Sequence, residues 1–139
     1  MQNEIHAVID TNVLVSALYT SNPESATKKI VDFVLDGTIR PLYCEEILEE
    51  YREVLSRGKF PFKPDNVQSL INSIEHFGQN PGRTATEGED FPDPKDVVFY
   101  EVALSKSCSF LVTGNTRHFP RKPIVVTPAE MLEIIRTMK

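Results

Sequence analysis

The stretch Ile5-His6-Ala7-Val8-Ile9-Asp10-Thr11-Asn12-Val13-Leu14-Val15-Ser16-Ala17-Leu18 decides how the fold is read. Five mostly apolar residues stop at a carboxylate, and after two more polar residues a second apolar run begins. The first run predicts a short buried strand over 5–9. The second predicts a buried helix over 13–18, with Thr11 or Asn12 as its N-cap. A strand with so little polar alternation suits a parallel sheet covered on both faces.

Working outward, the same alternation of strand and helix continues. Ala26, Ile30, Phe33 and Val34 recur with a helical period, predicting a helix over 23–35 that ends at Gly37. A second strand is read over 40–44, followed by helices over 45–57 and from Asp65 to about 77. Residues 79–92, rich in Pro, Gly and acids, read as a loop with room for a short edge strand. A helix over 94–105 then leads to strands at 110–113 and 124–126, separated by a turn. Pro128 at a helix N1 position opens the last helix, through 138. Strand alternating with helix implies an α/β fold around a parallel sheet. Ligands of such sheets sit beyond the carboxyl ends of the strands. Asp10, Cys44-Glu45 and Thr113-Gly114-Asn115 therefore draw attention.

Composition sets bounds. The 139 residues suit one domain over 1–139, and 40% hydrophobic with 25% charged residues is ordinary globular usage. No apolar run approaches the ~20 residues of a membrane span, and no secretory signal is evident. Cys44 and Cys108 form no Cys-x-x-Cys pair and fit buried thiols of a cytoplasmic protein better than a disulfide framework. The net charge of −5 excludes a generically basic nucleic-acid binder. The charge is uneven, however: residues 1–103 carry net −9 and residues 104–139 carry net +4.

Among the acids, Asp10 is open to two roles, a helix cap or a free carboxylate at the rim of the core. On a helical wheel of about 100° per residue, Ile47, Leu48, Tyr51, Val54 and Leu55 form one stripe. Glu50 lies on its edge, whereas Glu46, Glu49 and Glu53 point away. A carboxylate at the edge of a buried face needs a partner or a cation. Asp93-Pro94-Lys95-Asp96 reads as a helix start, with Asp93 capping and Asp96 favoured by the positive helix end. Glu101, among apolar neighbours, reads as a partly buried structural acid. Thr113 and Asn115 offer neutral oxygens, or belong to a plain Gly-Asn turn. His6, His76 and His118 have no zinc-like spacing. Without GxSxG, P-loop or GxGxxG, the serine-hydrolase, nucleotide-phosphate and dinucleotide classes lack support. Three carboxylates plus an amide are instead a hard-oxygen set, suited to Mg²⁺ or Mn²⁺ and to phosphodiester chemistry.

The ordered set Val8-Ile9-Asp10-Thr11-Asn12-Val13-Leu14-Val15-Ser16-Ala17, Ile47-Leu48-Glu49-Glu50-Tyr51, Asp93-Pro94-Lys95-Asp96 and Leu111-Val112-Thr113-Gly114-Asn115 resembles PIN-domain ribonucleases. It is most similar to the toxins of bacterial and archaeal toxin–antitoxin systems, akin to VapC-type toxins. The resemblance implies a three-layer α/β/α sandwich with a mostly parallel sheet of four to five strands. It implies a Mg²⁺- or Mn²⁺-dependent endoribonuclease cutting single-stranded or structured RNA, a homodimer held inactive by a cognate antitoxin. Asp10, Glu50 and Asp96 match the family's metal-binding acids, with Asn12, Asp93 and Thr113 in supporting positions. The fourth catalytic position, often Asp, is Asn115 here, which removes one charge. Arg117, His118, Arg121 and Lys122, just beyond Asn115, are then candidate RNA contacts. Phe119 in the same loop can stack a base or pack. The alternative is a catalytically weak or inactive module of this fold acting by RNA or protein binding. A phosphatase or a phospho-acceptor receiver fits less well, since Asn12 replaces the second Asp of the one and no Lys follows Thr113 for the other.

Overall fold

The computed structural model describes residues 4–138. Strand β1 (Ile5–Ile9) pairs on one side with β2 (Ile39–Pro41) and on the other with β3 (Ser109–Val112), which in turn pairs with β4 (Val125–Val126). Every pairing is parallel, giving the order β2-β1-β3-β4. Helices α1 (Thr11–Tyr19), α2 (Ala26–Asp36), α3 (Glu45–Leu55), α4 (Pro64–Phe77), α5 (Val97–Leu104) and α6 (Pro128–Thr137) flank the sheet. Successive strand residues face opposite ways, yet Ala7 and Val8 are both 0% exposed. Both faces of β1 are therefore covered, which makes the three α/β/α layers that the apolar run predicts.

Helix α5 explains itself by composition. Val98, Phe99, Tyr100, Val102 and Ala103 are all buried, so the helix is enclosed on every side and only Leu104 at its end is exposed. It lies against β1 and β3. Its buried acid, Glu101, is satisfied by Arg83 Nε at 2.5 Å and by the Thr86 N–H at 2.7 Å, the structural role read for it from sequence. These donors hold its carboxyl below the usual range against the upward push of burial.

Boundaries differ from the sequence reading where local hydrogen bonds intervene. Helix α2 starts at Ala26 rather than 23, because Ser25 Oγ caps it by accepting from the Lys28 N–H. It ends, as read, at Gly37, whose φ of 91° is left-handed. The second strand ends at Pro41. Beyond it, the Tyr43 N–H turns to the carbonyl of Gln79, and Leu42 and Gln79 form one parallel bridge. That bridge is all that remains of an edge strand in 79–92. Asp93 Oδ1 accepts from the Lys95 N–H, and the helix expected from 94 opens with one 3₁₀ turn, Pro94–Asp96. At α6 the reading holds, with Pro128 at N1 and a capping box between Thr127 and Glu130. Of the two cysteines, Cys44 is buried, but Cys108 is exposed, in a turn where its φ is 60°. The pairing of both as buried thiols is thus corrected. Among the described residues no helix is long and apolar enough to cross a membrane.

The bridge at Gln79 depends on Gly78. A Cβ there would come within 2.4 Å of the Ile74 carbonyl oxygen and 2.5 Å of that of Pro41, both backbone atoms that cannot rotate away. Gly78→Ala is expected to destabilise the protein by about 1–3 kcal/mol, as overpacking does, measured by urea unfolding. An unchanged midpoint would show that α4 and β2 are not held this closely.

Candidate active site

Strands β1 and β3 run in register with Ile9 opposite Val112, so Asp10 and Thr113 leave the sheet side by side. The Asp10 N–H continues the ladder to the Val112 carbonyl at 2.9 Å. Asp10 occupies the N-cap position of α1, but its side chain makes no cap. Its Oδ2 accepts instead from Thr113 Oγ1 at 2.7 Å. The Thr113 hydroxyl in turn accepts from the Asn115 N–H at 3.0 Å, which leaves its own proton for Asp10.

Thr11 and Asn12 do not cap α1 either, contrary to the sequence reading. Thr11 is already helical, and its hydroxyl donates to Glu50 Oε2 at 2.6 Å. Asn12 Oδ1 accepts from the Gly114 N–H at 3.1 Å. Three consecutive side chains thus reach three different places: the end of β3, helix α3, and the turn after β3. Tyr51, one residue beyond Glu50, adds a fourth tie. Its buried hydroxyl donates to the Ile9 carbonyl at 2.5 Å. Burial, aided by the charges of Asp10 and Glu50, pushes its pKa far up, so it remains a donor.

Asp96 closes the 3₁₀ turn before α5 and caps nothing with its side chain. Its Oδ2 is buried and has no hydrogen-bond partner. His118 Nδ1 lies 3.4 Å from that oxygen, and His118 Nε2 lies 2.9 Å from Asn115 Nδ2. With Asn115 donating to Nε2, the ring proton sits on Nδ1 and faces Asp96. His118, read from sequence among the RNA-contacting cations, thus stands beside the acids. Burial first, then the charges of Asp10, Asp93 and Glu50, raise Asp96 to about 6, while His118 pulls it back. Asp10 is raised too, by burial above all, against the donors Thr113 and Thr11.

The remaining residues fall outside this cluster. Asp93 caps the turn, as read. Arg117, Arg121 and Lys122 line a separate cleft of about 270 Å³ with Phe119, Pro120 and Glu130; the acids do not line it. Phe119 is buried, edge-on to Phe91 at 6.4 Å, and so packs. Sequence reasoning took Thr11 for a cap and Tyr51 for plain core. For Tyr51 the available signal was a hydroxyl on the most buried stripe of α3, since such a group needs an acceptor.

Among the described residues no three Asp, Glu, His or Cys side chains already close into a metal cage. The donor set nevertheless fits a divalent cation. The candidate ligands are hard oxygens, and one of them is buried without a hydrogen-bond partner. Burial first, and like charges second, disfavour the ionised forms of Asp10 and Asp96, a cost that a cation would relieve.

The family model described as PIN domain matches residues 6–117, a span holding Asp10, Glu50, Asp96 and Asn115 but ending before His118. No curated protein matches the chain. The chain belongs to the PIN-domain family, whose members are generally nucleases that act on RNA.

The raised Asp96 pKa has a stability consequence. Between about 4 and 6 the folded chain holds a proton that the unfolded chain releases, so this group makes the metal-free protein less stable as pH rises through that window. Asp96→Asn is expected to remove that component. In EDTA at pH 7.5 it is expected to raise Tm by about 3–5 °C, roughly what 1 kcal/mol gives at this chain length. Added Mn²⁺ is expected to stabilise the native chain more at pH 7.5 than at pH 5. Identical melting profiles for the two proteins would contradict this electrostatic picture.

Proposed function

We propose that this PIN-domain protein is a metal-dependent endoribonuclease in which Asp10, Glu50 and Asp96 hold Mg²⁺ or Mn²⁺. The observation that carries the reading is the buried Oδ2 of Asp96, which has no hydrogen-bond partner and is drawn into one electrostatic cluster with Asp10 and Glu50 at the carboxyl end of the sheet. When bound, a divalent ion supplies charge neutralisation on a scissile phosphodiester and makes water easier to deprotonate.

The chain's own residues supply orientation. Thr113 and Thr11 fix Asp10 and Glu50 by short hydrogen bonds, the kind of outer support that keeps ligating carboxylates in place. Asn115, with its N–H on Thr113, its backbone carbonyl on the His118 N–H and its Nδ2 on the His118 ring, offers its side-chain Oδ1 to water or to a cation. His118 holds a proton beside Asp96. Arg117, Arg121 and Lys122 serve as phosphate contacts on the flank, in the cleft next to Thr116. The chain works as one domain in the cytoplasm. The likeness of its motif set to VapC-type toxins supports a toxin role, with a homodimer and a cognate antitoxin as partners. A second reading, a binding module without catalysis, draws on Asn115, which replaces the fourth acid.

Purified protein incubated with mixed single-stranded RNAs is expected to cleave them with Mn²⁺ or Mg²⁺ and not with EDTA. Asp10→Asn is expected to lower the rate by at least about 100-fold, and Thr113→Val, which removes the hydroxyl that donates to Asp10 and accepts from the Asn115 N–H, by about 10- to 100-fold. Cleavage surviving both EDTA and Asp10→Asn would overturn the metal reading. No cleavage of any RNA with metal would favour the binding module.

A further inference from the structure

Between α3 and α4 the chain reads Arg57-Gly58-Lys59-Phe60-Pro61-Phe62-Lys63, two rings flanked by cations. The rings are grouped. Phe60 and Phe62 stack with centroids 5.1 Å apart and planes 10° from parallel. Tyr19, at the end of α1, meets Phe62 edge-on at 6.2 Å, and Lys59 Nζ lies 5.2 Å from the Phe60 centroid. Phe62 packs on the core and anchors the loop. The other two rings are not consumed by the fold: Phe60 is only half-buried, and Tyr19 is 66% exposed. Arg57 is engaged by Glu53 through two hydrogen bonds, whereas Lys59 and Lys63 are exposed and form no ion pair among the described residues.

A groove joins this patch, at Tyr19, to Asn12, two residues from Asp10. An open groove of about 500 Å³ runs along α1, lined by Asn12, Val15, Ser16, Tyr19 and Thr20. At one end Asn12 holds the Gly114 N–H beside the acid cluster. At the other end stands Tyr19. From Thr11 to Tyr19 the helix rises about 12 Å, the length of about three or four stacked nucleotides.

We propose that Tyr19 and Phe60, backed by Phe62 and flanked by Lys59 and Lys63, form a subsite that stacks the bases of single-stranded RNA a few nucleotides from the acid cluster. It rests on the reading of that cluster as an RNA-cleaving centre. Rings offer every base a π-face, and the two lysines offset phosphate charge that the net −9 of residues 1–103 otherwise repels. A partner protein would equally cover rings, but a groove leading to the acids favours the substrate strand.

The test is fluorescence anisotropy of the full chain with a 5′-labelled, unstructured 12-nucleotide RNA in EDTA, which separates binding from cleavage. Tyr19→Ala and Phe60→Ala are each expected to raise Kd by about 5- to 150-fold, the range for loss of one stacked base. Tyr19→Phe is expected to stay near the native value. Phe77→Ala, an exposed ring at the end of α4, is expected to have no effect. Replacing Lys59 and Lys63 by Ala is expected to flatten the salt dependence by about 0.7 per lost phosphate contact. If the native chain binds and the ring variants bind as tightly, the subsite is overturned while the nuclease reading stands. If the native chain binds no RNA, the RNA reading falls and the subsite with it. Ring variants that keep RNA binding but lose self-association in sedimentation would assign the patch to a second copy of the chain, overturning the proposal.

Discussion

Three adjacent side chains at the end of β1 hold the carboxyl end of the sheet together. Asp10 takes the Thr113 hydroxyl, Thr11 gives its hydroxyl to Glu50, and Asn12 takes the Gly114 N–H. Any one of these residues could cap α1, and none does, because each has a stronger claim elsewhere. Asp10 is 6% exposed, Thr11 5% and Thr113 0%, so the bonds of Asp10 and Thr11 are sheltered from water, whereas the Asn12–Gly114 bond is exposed. The cost of leaving such groups unpaired is what locks α3 and the turn after β3 to β1. Tyr51 adds its hydroxyl to the Ile9 carbonyl at the same junction.

The same constraint creates electrostatic tension. Holding Asp10 and Glu50 in place sets their charges near Asp96, whose Oδ2 is buried without a hydrogen bond. His118, kept in orientation by Asn115, turns its Nδ1 toward that oxygen at 3.4 Å without closing a hydrogen bond. A protein selected for stability alone has little reason to keep carboxylates so placed, and strongly shifted groups of this kind concentrate at functional sites. The charge distribution of the chain takes on meaning in this light. Part of the acid excess of residues 1–103 is spent on the cluster, and the cations lie at its flanks, in the 117–122 cleft and the 57–63 loop.

Much of this was legible in the sequence for identifiable reasons. The apolar run 5–9 with its terminal Asp declared a strand covered on both faces, and Ala7 and Val8 are fully buried. The α3 wheel singled out Glu50, since helical periodicity fixes which acid meets the core edge, and Glu50 is the one that meets Thr11. What stayed hidden were contacts between residues far apart in the chain. Asp10 and Thr113 are 103 positions apart, and only the parallel register of β1 with β3 makes them neighbours. His118 looked like one of four cations in a loop. A single 3₁₀ turn, Thr116–His118, carries its ring back toward Asp96, and loop geometry of that kind has no periodic signal. Helix α2 starts later than 23 because apolar period marks a helix's face and not its first residue, which the Ser25 cap sets.

In the proposed nuclease these carboxylates share one divalent cation site. Isothermal titration of Mn²⁺ into the purified protein at pH 7.5 addresses it without any RNA. The native chain is expected to show saturable binding with proton release, and Asp10→Asn is expected to lose it. Absence of Mn²⁺ binding by the native chain, or binding of equal strength by Asp10→Asn, would contradict the account.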